Sequence, residues 1–194
     1  MKKKRVVFFG DSNTYGFDPA DYYEARYPYG KRWTTMVAKA LGEEWEIVPE
    51  GLNGRRIPSS PDRVVPYLLD TVGEEGYLAV MLGTNDVAHS MRPTPQEGIE
   101  AMAHFLSYLA AKMPPSHLLL IAPPYVCTQE DGFAYACHVM NTAFAGQARA
   151  MGAHFVDAED WGIDLAYDQV HFSEAGHATF ARRLSALLPK IWTE

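Results

Sequence analysis

Short runs of apolar residues alternate along this chain with longer stretches in which apolar residues recur at helical spacing. The first run, residues 6–9, reads Val-Val-Phe-Phe without a polar interruption, which is typical of a strand buried on both faces. Four further runs predict four more strands. The five predicted strands are residues 6–9, 45–48, 77–82, 118–122 and 155–156.

Residues that begin or end helices flank the stretches between these strands. Gly42 and Gly152 each follow a stretch with one apolar face, at a position where glycine commonly ends a helix. Pro61 stands near the start of another such stretch, and Ser173 is placed to cap the last helix. The helical periodicity covers residues 33–41, 61–69, 99–109, 133–151 and 174–187.

Five successive strand–helix units of this length predict one parallel sheet with helices on both faces. The chain shows no repeat, no low-complexity segment and no convincing linker, so residues 1–194 are expected to form a single domain. We therefore expect a flavodoxin-like α/β fold. This is a three-layer α/β/α sandwich around a five-stranded parallel sheet, with the strand order 2-1-3-4-5.

Composition and charge narrow the classes of function. Hydrophobic residues make up 47% of the chain, and the net charge of −7 argues against nucleic acid or an anionic membrane as the main partner. No stretch approaches the roughly 20 apolar residues that cross a bilayer, and residues 6–9 are too short for a secretory signal. Cys127 and Cys137 are expected to be free thiols in a reducing compartment, so we predict a cytoplasmic protein.

Polar clusters follow four of the five predicted strands. Residues 10–13 follow the first strand, residues 51–54 the second, residues 83–86 the third, and residues 168–171 the fifth. Because ligands bind beyond the carboxyl ends of the strands in such sheets, these clusters are expected to converge on one edge. Together they supply the groups that ester cleavage needs, namely a hydroxyl, a base, a group that orients the base, and oxyanion donors.

The same clusters resemble the sequence blocks of the SGNH (GDSL-type) hydrolase superfamily. The Gly-Asp-Ser-Asn-Thr motif at residues 10–14 is similar to the first block, and Glu-Gly-Leu-Asn-Gly-Arg at residues 50–55 is similar to the second. Gly-Thr-Asn-Asp at residues 83–86 resembles the third block, and Asp-Gln-Val-His at residues 168–171 the fifth. The four blocks occur in the family order, and their frame spans nearly the whole chain.

This resemblance implies a role for each of five residues. Ser12 would be the nucleophile, and Asp168 and His171 would complete its catalytic triad. The backbone N–H groups of Ser12 and Gly54 and the side chain of Asn85 would form the oxyanion hole. No cofactor is implied.

The resemblance is closest to the arylesterase and acetylesterase branch, some members of which deacetylate carbohydrates or catalyse acyl transfer. The Arg32-Trp33 pair at the start of the first helix and the run at residues 50–55 support this branch. It implies a serine esterase that hydrolyses short-chain, acetyl-type esters through an acyl-enzyme. A lysophospholipase or thioesterase of the same superfamily is the alternative among hydrolases.

The individual residues also have simpler structural interpretations. Ser12 could cap the following turn, Asn85 could be a turn residue, and Gly54 could supply unusual backbone angles. His171 differs from the six other histidines because Asp168 lies three residues before it, in a segment without helical periodicity. A short loop there can bring the carboxylate to one ring nitrogen while the other faces the serine.

Other polar residues in or next to the blocks have less defined roles. Asp11 and Asp86 are expected to hold loops in place, whereas Arg55 and Arg56 could either line the cleft or be solvated. Five tyrosines in residues 15–29 could stack on a sugar or form a contact between subunits, and both interpretations stay open. From this segment and the related branch we expect a homo-oligomer. The tyrosines are Tyr15, Tyr22, Tyr23, Tyr27 and Tyr29.

Two alternatives to a serine hydrolase have weaker support in the sequence. A flavodoxin-like nucleotide-binding protein fits the architecture, but Asp11 places negative charge where a phosphate would lie. A metal site lacks support because there is no His-Glu-x-x-His motif, and Cys137 and His138 face different sides of a helix. We expect no metal.

Overall fold

A five-stranded parallel sheet forms the centre of the molecule. The computed structural model describes residues 3–21, 26–88, 94–126 and 132–192. The strands are paired in the order β2-β1-β3-β4-β5, all in parallel, which confirms the predicted topology. Their bounds are β1 Lys4–Gly10, β2 Trp45–Gly51, β3 Tyr77–Met81, β4 Leu118–Ala122 and β5 His154–Asp157.

Helices connect these strands and cover the sheet on both sides. Two short 3₁₀ turns, Tyr29–Lys31 and Pro115–His117, accompany them. Within the described residues, no helix is long and apolar enough to cross a membrane. The helices are α1 Ser12–Tyr15, α2 Trp33–Leu41, α3 Pro61–Val72, α4 Thr84–Ala88, α5 Gln96–Ala110, α6 Phe133–Met151 and α7 Glu174–Ile191.

The alternation of side chains along β1 divides the core into two layers. Val7 and Phe9 are buried in a cluster with residues of α3, α5 and α6. Val6 and Phe8 are buried on the opposite face with residues of α2 and α7. Because successive side chains of a strand point to opposite faces, the continuous apolar run of β1 fills both layers. This confirms the predicted three-layer α/β/α sandwich.

The ends of several helices lie where the sequence predicts them. Gly42 follows α2, and its N–H donates to the carbonyl of Ala38. Gly152 follows α6 in the left-handed conformation, with φ of 72°. Ser173 caps α7, since its hydroxyl accepts the N–H of Gly176 at 3.1 Å.

Two features differ from the prediction. The strands β1 and β2 extend beyond their apolar runs, because parallel backbone pairing continues from Lys4 opposite Trp45 to Gly10 opposite Gly51. The short helices α1 and α4 follow β1 and β3 directly, where the sequence predicts only loops. Helices of 4 and 5 residues are too short to show an apolar period.

Candidate active site

Two glycines let the first helix pack closely against the sheet. A Cβ atom on Gly51 would lie 2.1 Å from the backbone nitrogen of Tyr15, and one on Gly10 would lie 2.1 Å from Oγ1 of Thr14. Real Cβ atoms do not approach other atoms so closely, so both positions require glycine. The close packing places Ser12, the first residue of α1, at the carboxyl end of β1.

Ser12, His171 and Asp168 are in sequential contact. Oγ of Ser12 lies 2.9 Å from Nε2 of His171, and Nδ1 of His171 lies 2.6 Å from Oδ2 of Asp168. Since an ionised carboxylate only accepts, the Asp168 contact assigns the ring proton to Nδ1 and leaves Nε2 free to accept from the serine hydroxyl. The structure thus brings together the three residues predicted for the triad.

The loop that carries His171 is organised around the carboxylate of Asp168. Oδ1 of Asp168 accepts the N–H groups of Val170 and His171 at 3.1 and 3.0 Å. Gln169, between Asp168 and Val170, has a positive φ of 59°. Burial alone would raise the pKa of the Asp168 carboxyl, but hydrogen bonds from His171 and Val170 outweigh it and lower that pKa. The carboxylate therefore remains charged beside the imidazole.

The side chain of Asn13 binds the loop that carries His171, a contact that no sequence pattern predicted. Its Oδ1 accepts the N–H of Phe172 at 2.9 Å, and its Nδ2 donates to the carbonyl of Val170 at 3.3 Å. Its backbone carbonyl accepts the indole N–H of Trp33 at 2.9 Å. The only sequence signal is its place directly after Ser12, since its partners lie far along the chain.

Phe17 is a second neighbour of the imidazole that the sequence did not indicate. Its ring centroid lies 4.5 Å from that of His171 at an interplanar angle of 49°. The contact covers part of the imidazole with an apolar ring.

Two of the three predicted oxyanion donors, Gly54 and Asn85, lie in neighbouring segments that a hydrogen bond joins. Nδ2 of Asn85, at the start of α4, donates to the carbonyl of Arg55 at 3.1 Å. Gly54, the residue before Arg55, is exposed and has a φ of 69°, which favours glycine. One N–H of the Asn85 amide is used in this bond, and the second N–H is available to another acceptor.

The aspartates of the first and third blocks, Asp11 and Asp86, hold the loops, as predicted. Asp11 caps α1 by accepting the N–H of Asn13 at 3.0 Å. Burial raises the pKa of Asp11 to about 6, although that hydrogen bond opposes the rise. Asp86 accepts the N–H of Ile57 at 3.2 and 3.3 Å, and burial raises its pKa as well.

The structure separates the two arginines, whose roles the sequence left open. The guanidinium of Arg55 lies 4.1 Å from the ring centroid of Phe9 and donates to the carbonyls of Gly10 and Glu50. It therefore holds the ends of β1 and β2 together instead of being a solvated surface group. Arg56 remains 44% exposed, with its Nε 3.6 Å from the carboxylate of Asp86.

The tyrosine-rich segment does not act as one surface. Tyr27 is only 8% exposed and packs against His177 with ring centroids 5.1 Å apart, so it belongs to the interior and fits neither predicted role. Tyr29 is 72% exposed, whereas Tyr15 lies under the guanidinium of Arg26. Tyr22 and Tyr23 lie outside the described residues.

A cavity of about 310 Å³ adjoins the loop of residues 164–172. Its lining combines Tyr125 and the polar residues Glu159, Asp164 and Gln169 with the apolar residues Ile163 and Leu165. Neither Ser12 nor His171 lines this cavity. In the parts of the chain that the structure describes, no group of three or more His, Cys, Asp or Glu side chains could hold a metal ion.

Residues 8–179 match the GDSL-like lipase/acylhydrolase family. The match covers most of the chain, and the protein therefore belongs to this family of carboxylic ester hydrolases. A GDSL lipase of Mycobacterium tuberculosis is 26% identical over 190 residues, which cover 94% of this chain and 80% of that lipase.

Solved structures of esterases share the fold. Est24, a carbohydrate acetylesterase from Sinorhizobium meliloti, matches with a TM-score of 0.81 and 25% identity, covering 98% of this chain and 100% of that one. The native aryl esterase of M. smegmatis matches with a TM-score of 0.76 and 24% identity, covering 97% and 100% of the two chains. These findings favour the hydrolase over the nucleotide-binding alternative.

Proposed function

We propose that this protein is a serine esterase that hydrolyses short-chain, acetyl-type esters, including those of acetylated carbohydrates. The observation that carries the proposal is the unbroken series of contacts from Asp168 through His171 to Ser12, at 2.6 and 2.9 Å. These are the distances at which a base can take the proton of an attacking hydroxyl while a carboxylate stabilises the resulting imidazolium.

The first half of the reaction forms an acyl-enzyme. Oγ of Ser12 attacks the ester carbonyl carbon while Nε2 of His171 takes the hydroxyl proton, and Asp168 stabilises the imidazolium. The tetrahedral intermediate then collapses. Its bond to the alcohol oxygen breaks, and His171 gives the same proton to the departing alcohol.

The second half releases the acid. Water attacks the acyl carbon as His171 takes one of its protons, and the bond to Oγ of Ser12 breaks as that proton returns to the serine. An alcohol in place of water would give acyl transfer by the same route. In both halves, the oxyanion is held by the backbone N–H groups of Ser12 and Gly54 and by the free N–H of the Asn85 amide.

The choice of an acetyl group and a carbohydrate alcohol is supported by one comparison. One of the solved structures with this fold is a carbohydrate acetylesterase, and it matches nearly the whole chain.

A series of p-nitrophenyl esters of increasing acyl length, run beside an acetylated sugar, tests this proposal. We expect kcat/KM to be highest for the acetyl ester and to fall as the chain lengthens, with acetate released from the sugar. Preference for long-chain esters would instead support a lysophospholipase or thioesterase. No ester hydrolysis at any chain length would overturn the proposed function.

A further inference from the structure

The side chain of Asn13 binds the peptide groups on both sides of His171. Its oxygen accepts the N–H of Phe172, the residue after the histidine, at 2.9 Å. Its nitrogen donates to the carbonyl of Val170, the residue before it, at 3.3 Å. One planar amide therefore fixes the backbone around the imidazole from two directions.

Asn13 is itself held in the interior. Its side chain is buried, its own N–H donates to Asp11 at 3.0 Å, and its carbonyl accepts the indole N–H of Trp33 at 2.9 Å. Trp33 is only 1% exposed and belongs to the core between the sheet and α2. The backbone of Asn13 is thus held by Asp11 and the packed core, independently of the loop to which its side chain binds.

The bonds that Asp168 makes to His171 have a different effect, because they lie inside one loop. Asp168 accepts both the ring and the backbone N–H of His171, and the carbonyl of His171 accepts the N–H of Ala166 at 2.7 Å. If the loop shifts, these partners shift with the histidine. They orient the imidazole within its loop but leave its distance from Ser12 undetermined.

We propose that Asn13 is a positioning residue that sets the distance between the imidazole of His171 and the hydroxyl of Ser12. This inference rests on the proposed function, since it concerns the same serine and histidine. Asn13 is adjacent to the nucleophile in the chain and bonded to the segment that carries the base. Asn13 therefore links the position of the Ser12 hydroxyl to the position of the His171 imidazole.

Asn13→Leu keeps the approximate volume of the side chain and removes both hydrogen bonds. We expect kcat for p-nitrophenyl acetate to fall by roughly 10²-fold, the effect of a displacement of about 1 Å between reacting groups. KM should not change, because acylation and deacylation both use His171 and slow together. Inactivation of Ser12 by a phosphonate ester should slow by the same factor as kcat.

Asn141→Leu is the matched control. Asn141 is also buried, at 3% exposure, and donates to Pro123 and Glu159 at 3.2 and 3.1 Å. Both variants should lower the thermal midpoint, but only Asn13→Leu should lower kcat. The downfield proton resonance expected for Nδ1–H of His171 should persist in Asn141→Leu and shift or broaden in Asn13→Leu.

The outcomes separate this inference from the proposed function. If Ser12→Ala remains active, the proposed function fails. If Ser12→Ala is inactive and folded Asn13→Leu retains the parent kcat, or both asparagine variants lose activity equally, only the positioning role is overturned. If Asn13→Leu does not fold, Asn13→Ala replaces it, since it removes both hydrogen bonds without adding bulk or charge. It should then lower kcat with KM unchanged, and a parental kcat would overturn the role.

Discussion

The two edges of the sheet carry different kinds of structure. At the amino edge, where the strands begin, a cavity of about 550 Å³ lies among charged side chains, including Arg5 and Glu46, which pair at 3.0 Å. At the carboxyl edge the cavity beside the His171 loop is smaller, about 310 Å³. Yet this second edge has a hydroxyl, an imidazole and a carboxylate fixed by bonds between loops that are distant in the chain.

The two edges differ in the free energy needed to remove their polar groups from water. Arg5 and Glu46 remain 40% and 43% exposed, and such a pair forms with little loss of solvation. Asp11 at the carboxyl edge is 3% exposed, so its charge is removed from water at a cost in free energy. Polar groups whose burial costs free energy therefore identify the functional edge better than the size of a cavity does.

The largest expected effect tests this comparison with a matched pair of histidines. Replacing Ser12 or His171 by alanine should lower kcat for p-nitrophenyl acetate by about 10⁵–10⁶, because the members of a triad act as a unit. His117, which lines the amino-edge cavity and bonds the carbonyl of Gly76 at 3.0 Å, provides the control.

His117→Ala should leave kcat at the parent value, measured in the same assay on protein with a native circular dichroism spectrum. Strong loss of activity in this variant would mean that the amino edge participates in catalysis. Activity retained in Ser12→Ala would remove the serine as nucleophile.

A smaller effect is expected at the oxyanion donors. Asn85→Asp keeps the shape of the side chain but removes its N–H donors, and it should lower kcat by about 10²–10³. The bond to the carbonyl of Arg55 is lost as well, so part of the effect could come from a displaced loop. Asn85→Ala removes the same donors without adding a charge, so equal losses in both variants would exclude the added charge as the cause. Parental kcat in Asn85→Ala would exclude a role of the amide donors in catalysis.

The smallest expected effect is on the free energy of unfolding. Its dependence on pH should have opposite signs for a carboxyl group at each of the two edges. Burial raises the pKa of Asp11 from 3.8 to about 6, so the folded state favours its protonated form. The stability that this group contributes is complete below about pH 4 and is lost as the pH rises through about 6. Asp11→Asn can still cap α1, and it should be the more stable protein at pH 8 by roughly 1–3 kcal/mol. That advantage should shrink toward pH 4.

Glu46 should behave in the opposite way. Its hydrogen bond with Arg5 lowers the pKa of its carboxyl, so its contribution is present near neutral pH and is lost in acid. The effect of Glu46→Gln should be small because the pair is exposed. Urea unfolding of both variants and the parent between pH 4 and pH 8 measures both differences. A stability difference for Asp11→Asn that does not vary with pH would contradict the assigned cause.

The sequence predicted the sheet well because its signal is local. The apolar run of β1 fills both layers, and Gly42, Pro61 and Ser173 mark helix ends by their own conformational preferences. The strand order also followed from the sequence, since few arrangements of successive strand–helix units are possible. The polar clusters after the strands were placed at one edge by the same reasoning.

What the sequence could not give depends on contacts between distant segments. The bonds of Asn13 to the backbone beside His171 join residues that are far apart in the sequence, and no local pattern indicates them. Tyr27 resembles its tyrosine neighbours in sequence, yet it packs against His177 in the interior. The helix α4 is likewise hidden, since its five residues are also common in turns.

The serine and the imidazole that meet at the carboxyl edge are separated by 159 positions in the chain. Ser12 follows β1 and His171 follows β5, the strand at one edge of the sheet, so their contact requires β3 and β4 to be paired between those two strands. Ester hydrolysis therefore requires the completely folded chain, and its rate can be used to measure complete folding. During refolding, enzymatic activity should return no earlier than the docking of β5, even when most of the helical signal has already been recovered.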